Sequence, residues 1–88
     1  LTTDRGILLG IMTADCLPVL IVDRKLRAVA AVHAGWRGIM AGIVSRTVAA
    51  MENLHGIPAA DLLVVLGPCI GRCCYRVGEE LVREFAAQ

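Results

Sequence analysis

Two short stretches bring chemistry to a chain otherwise filled with Val, Ile, Leu and Ala. In "TADCLP", residues 13–18, Asp15 and Cys16 stand beside a proline. In "HAGWRG", residues 33–38, His33 is followed by Gly35, Trp36, Arg37 and Gly38. Thiolate and imidazole both suit zinc, which in catalytic sites takes three protein ligands and keeps one position open. Cys16 and His33 supply two, at no short finger spacing, so a third ligand must come from elsewhere. The same pair suits nucleophilic catalysis, with His33 activating a Cys16 thiolate. The plain alternative is a small buried thiol beside a satisfied core histidine. Asp15, an acid between apolar runs, must be paired, hydrogen-bonded or solvated. It can orient His33, act as acid or base, or cap a helix or turn. Arg37 and the glycines sit at a strand-to-helix turn. Free backbone N–H groups there attract anions, and the guanidinium fork suits phosphate or carboxylate. A tight turn with Trp36 packed on the sheet explains the same residues without a ligand.

The remaining thiols, Cys69, Cys73 and Cys74, form a C-x3-C-C pattern. A structural zinc site needs a second half, which the chain lacks, so they read as loop and core thiols. Adjacent Cys73 and Cys74 are poorly placed to pair without strain. The chain is also too rich in core residues for a small disulfide scaffold. Free thiols in a reducing, cytoplasmic setting are expected. His55 falls at a helix C-terminus, where a cation suits the dipole, and no catalytic role is expected of it.

The elements that must position these residues follow from apolar periodicity. Residues 7–12 read as a short buried strand, 17–22 as a second apolar run whose Pro18 favours its first turn or an edge, 23–25 as a turn and 26–32 as a third strand with His33 at its end. Gly35 and Gly38 break the strand pattern. Over 39–54, Met40, Val44, Val48 and Met51 fall on one helical face, and Gly56 and Pro58 end that helix. Residues 62–67 read as a further strand and 77–87 as a last helix, joined by a Gly/Pro-punctuated loop. The expected class is α/β: a mixed sheet with helices packed on it and a strand–helix–strand crossover of the right-handed parallel kind. If the strands are parallel neighbours, Cys16, His33 and Cys69 share the rim where open α/β sheets bind ligands.

The net charge of +1 comes from nine basic and eight acidic residues spread along the chain, which makes no case for nucleic acid or a membrane surface. The longest oily stretch, 7–22, is interrupted by Thr13, Asp15 and Pro18. A membrane span needs ~20 residues with few or no charges, so none is expected. Nor does the sequence show a signal peptide. Eighty-eight residues make one small domain or a piece of one. A chain this short buries a modest fraction of its surface, so packing against further segments or a partner is expected, with an oligomer among the options.

Taken together and in order, "TADCLPVLIVD", "VHAGWRG" and "LGPCIGRCCYRVG" resemble the laccase-domain family, also called polyphenol oxidase or YfiH-like proteins. The resemblance runs from about Gly6 to Gly78. Family members are longer, which implies that residues 1–88 are the central part of a larger single domain. The implied activity is phosphorolysis of adenosine, inosine, guanosine and methylthioadenosine to base and sugar 1-phosphate, with adenosine deamination at the same site. The implied metal is zinc, held by one cysteine and two histidines. Cys16 and His33 match two of these ligands. The other histidine belongs to an upstream "VH" motif absent from this sequence, and His55 is not its equivalent. Arg76 stands where the family commonly has glutamate, and Cys69 where a small residue is usual.

The implied chemistry suits these residues. Zinc lowers the pKa of a bound water to near neutral, as attack on adenine C6 requires, with Asp15 the candidate proton shuttle. Arg37 and the backbone N–H groups after His33 would hold phosphate by electrostatic stabilisation. Rival readings are a cysteine hydrolase built on Cys16 and His33, and a non-catalytic, zinc-stabilised interaction module. A copper oxidase fits poorly, because its sites want many histidines and only two are present.

Overall fold

The computed structural model describes residues 1–71 and 73–87. Its elements run β1 (Leu17–Asp23), β2 (Val29–Ala34), α1 (Trp36–Met40), α2 (Ile43–His55), a 3-10 turn (Ala59–Asp61), β3 (Leu62–Leu66) and α3 (Glu79–Ala86). The three strands form one sheet in the order β2-β1-β3. β1 pairs antiparallel with both neighbours: Leu17 faces Ala34, Val22 faces Val29, Val19 faces Leu66 and Asp23 faces Leu62.

This is an α/β architecture with a strand–helix–strand crossover, as expected, but its pairing differs. β2 and β3 run in the same direction and are joined through α2, yet β1 lies antiparallel between them. The parallel neighbours inferred from the sequence are therefore absent among the described residues.

The β1–β2 connection is fixed by Asp23, whose side chain is fully buried. Its carboxylate accepts hydrogen bonds from the backbone N–H groups of Lys25 (3.2 Å) and Arg27 (3.0 Å) and from the Arg27 guanidinium. The guanidinium bridges on to Asp61 at 3.0 Å. A buried carboxylate is tolerable only when paired in this way. Arg27 accordingly holds the Asp23 carboxyl well below its ordinary range, against the opposing effect of burial. This turn occupies residues assigned above to a strand over 26–32, and β2 starts three residues later than expected.

The segment 7–12 forms no strand. Thr2 bridges to Val29, and Gly6 then turns with φ +75°. Ile7, Leu8 and Met12 are left exposed. A short apolar run does not make a strand without a partner, and this one pairs with neither outer strand of the sheet.

The helix expected over 39–54 is two helices. Gly42, at φ +73°, separates α1 from α2. The φ of Gly56 is +65°, and its N–H bonds to the Glu52 carbonyl, closing α2 as the sequence indicated. The next residue, Ile57, is buried like Met51 and donates its N–H to the Met51 carbonyl. Val44, Val48 and Met51 pack with Val19, Ile21, Ala30 and Val32 in a core on one face of the sheet. Met40 belongs to α1, not to this stripe. The last helix, α3, begins at Glu79, two residues later than expected.

Candidate functional site

The N-terminal end of β1 meets the C-terminal ends of β2 and β3 at one end of the sheet. Antiparallel pairing thus gathers the three motifs that the sequence reading placed on one rim, by a different route. Cys16 precedes its strand rather than following one. His33 and Gly35 close β2, and Gly67–Ile70 leave β3.

The backbone ties these pieces together. The Gly67 N–H donates to the Pro18 carbonyl at 2.9 Å, and the Ile70 N–H donates to the Asp15 carbonyl at 3.0 Å. Close approach requires glycine at position 67 and leaves little room for a side chain at position 35. A Cβ on Gly67 would stand 2.6 Å from the Pro18 ring, and one on Gly35 would stand 3.3 Å from the Cys16 sulfur. The half-buried thiol of Cys16 therefore lies where a side chain at position 35 would point.

Asp15 and Cys16 line a cavity of about 530 Å³ together with Gly35, Trp36, Tyr75 and Phe85. Trp36, Tyr75 and Phe85 are all the aromatic residues in the chain. They come from α1, the loop before α3, and α3 itself. Their convergence was missed from the sequence, although two of them sit inside or beside the quoted motifs.

His33 is not in this cavity. It is exposed on β2, an outer strand of the sheet, and lines a separate groove of about 390 Å³ with Arg46 and Thr47. Register pairs it with Pro18, two residues beyond Cys16. Arg37 is exposed in α1, its guanidinium stacked 4.4 Å from the centre of the Trp36 ring. Such a cation–π contact holds the planar fork against an aromatic face. Asp15 is exposed on the cavity's lining, and all four cysteines are free.

No group of three His, Cys, Asp or Glu side chains among the described residues is placed to hold a metal ion. Cys16 and His33 are zinc donors in kind, but two in number, short of the three protein ligands of a catalytic zinc site.

Comparison with known proteins settles the family. The family model described as multi-copper polyphenol oxidoreductase laccase matches residues 1–88. The chain belongs to this laccase family. Similar members include proteins named purine nucleoside phosphorylase from Bacteroides thetaiotaomicron and Pseudomonas aeruginosa. The first is 45% identical over 85 residues, covering 97% of this chain and 32% of that protein. The second is 49% identical over 82 residues, covering 93% and 32%. The crystal structure of YlmD from Geobacillus stearothermophilus superposes with a TM-score of 0.78 at 36% identity, covering 85% of this chain and 28% of that one. This laccase-family chain thus spans about a third of the length of its curated relatives. None of its described helices is long and apolar enough to cross a membrane.

Proposed function

We propose that this chain carries part of the active site of a purine nucleoside phosphorylase, acting on adenosine, inosine, guanosine or methylthioadenosine with phosphate. The observation that carries the proposal is the cavity beside Cys16, apolar over most of its wall and holding the chain's three aromatic residues. A purine is flat and aromatic. Offset or edge-on contact with such rings favours it beyond the area buried. The relatives' names point to the same substrate class.

In this reading phosphate attacks C1′ of the ribose, the C1′–N9 bond breaks, and the base leaves with the bonding pair. Arg37, braced on Trp36, is assigned to the phosphate. Its fork suits two phosphate oxygens at once. Asp15, exposed at the cavity, is assigned the proton that the departing purine needs. Cys16 and His33 are assigned to zinc, with a third ligand from outside these 88 residues. Zinc, when bound, would supply an activated water or a polarised oxygen. The finer activity proposed at the same site is adenosine deamination, in which water adds at C6, the C6–N bond breaks and the amino group leaves as ammonia. Zinc is preferred to copper, since one thiolate and one imidazole are zinc donors in kind. A soluble cytoplasmic enzyme with free thiols is the matching setting.

A cysteine hydrolase is the less favoured reading. It makes Cys16 and His33 a nucleophile–base pair, whereas the relatives' names point to nucleosides and phosphate. The test supplies the full-length protein, zinc-loaded, with adenosine and phosphate and separates the products by chromatography. Adenine and ribose 1-phosphate, both lost in Cys16→Ala, are expected. Inosine alone would establish a deaminase instead. No turnover of any purine nucleoside would overturn the proposal.

A further inference from the structure

The C-x3-C-C motif is not used by the proposed reaction, yet the structure brings its last two thiols into contact. The Cys73 and Cys74 sulfurs lie 3.2 Å apart, and both residues are exposed. The turn that holds them is closed by the Cys74 N–H, which donates to the Gly71 carbonyl at 3.1 Å.

Two thiols in contact have two fates, a disulfide or a shared ligand. Consecutive Cα atoms are 3.8 Å apart, below the usual disulfide span of about 4.4–6.8 Å. A disulfide between neighbours is therefore strained and easily reduced. A shared ligand has no such obstacle. With a sulfur–ion bond of about 2.3 Å, the zinc–thiolate length, a sulfur separation of 3.2 Å gives an angle at the ion of about 90°. Tetrahedral zinc wants a wider angle. A trivalent group-15 centre, pyramidal with one lone pair, takes bonds near a right angle.

We propose that Cys73 and Cys74 form a dithiol site for a soft trivalent ligand of the arsenite class. For an organoarsenical R–As=O, two As–S bonds form, the As=O bond breaks, and both thiol protons leave with the oxygen as water. Arsenic stays trivalent, so no oxidant is needed. The chemistry accepts protonated sulfur. The Cys74 thiol is pushed up by its hydrogen bond with Cys73, which keeps it a thiol without blocking the exchange.

The site is independent of the purine reading. The experiment adds phenylarsine oxide to the reduced protein and reads free thiols and intact mass. Two thiols lost per arsenical are expected, with a mass gain equal to the reagent minus one water. The adduct should survive a monothiol wash and be released by 1,2-ethanedithiol. Cys73→Ser and Cys74→Ser should each weaken capture by about 100-fold, since the second bond to a tethered ligand acts as an intramolecular event. Cys16→Ser and Cys69→Ser should retain it. Capture that persists in both Cys73→Ser and Cys74→Ser, or a wild-type adduct that a monothiol removes, would overturn the proposal.

Discussion

At the scale of single residues, the strongest local constraint lies in the β1–β2 turn, away from the candidate site. The folded carboxyl of Asp23 titrates well below its ordinary value of 3.8, chiefly through its hydrogen bonds with Arg27. A group with a depressed folded pKa contributes stability above its unfolded pKa and loses it as pH falls through the folded one. The stabilisation should therefore be complete above pH ~4 and drain away below it. Thermal melts of wild type and Asp23→Asn between pH 7 and pH 2 should show the variant melting well below wild type at neutral pH. The gap should narrow in acid, and a constant gap would contradict the assignment. The same turn holds Leu26 exposed at φ +59°. A left-handed conformation costs a leucine ~1–2 kcal/mol, and asparagine tolerates it better. Denaturant unfolding should find Leu26→Asn more stable by ~0.5–1 kcal/mol.

Residue chemistry was more legible in the sequence than residue placement. The Asp15–Cys16 and His33–Arg37 motifs could be picked out by type and by their position at the ends of apolar runs. That Cys16 and His33 face different hollows could not. It depends on which strand each residue borders and on the alternation of side chains across a sheet. Asp23 was passed over as part of a polar turn, because nothing local distinguishes a solvated turn acid from one whose partner lies four residues on.

At the scale of elements, the sequence placed the end of α2 well but read through Gly42, which splits the helix expected over 39–54, and took Gly38 as a breaker although it lies inside α1. α2 ends at Gly56 as the pattern required, and its stripe through Val44, Val48 and Met51 faces the core. Met51 has no solvent exposure. Truncation to Ala removes a packed side chain and leaves a cavity, a loss of ~2–5 kcal/mol that chemical denaturation can read. The errors came where an apolar run was equated with a strand. Residues 7–12 have the composition but no partner, and pairing is a property of two segments. Close approach at the rim gives an element-scale test. A Cβ on Gly67 would meet the Pro18 ring at 2.6 Å. A rigid ring cannot rotate aside, so Gly67→Ala should cost ~1–3 kcal/mol as an overpacking change. Because the Gly67–Pro18 bond ties β3's exit to the start of β1, the nucleoside turnover proposed for the full-length protein should fall in this variant as well.

At the scale of the whole molecule, one face of the sheet holds the core while the other leaves Leu20, Leu63 and Val65 about half exposed. The chain also spans only about a third of its relatives' length. Both facts bear on the metal. A structural or catalytic zinc draws its affinity from three or four ligands held together, and ligands gathered by folding make metal binding and folding one equilibrium. Two donors bordering separate hollows do not meet that requirement. The 88-residue chain should therefore show the same melting temperature with zinc as with a chelator. The full-length protein, with a third ligand in place, should melt lower when zinc is removed. Calorimetric scans of both forms, with Cys16→Ala as control, separate the outcomes. A chelator-sensitive 88-residue chain whose sensitivity survives Cys16→Ala would locate the metal on the Cys69–Cys74 loop and overturn the assignment to Cys16 and His33. Sensitivity confined to the full-length protein and lost in Cys16→Ala would tie zinc to the rim beside the aromatic cavity, where the purine reading needs it.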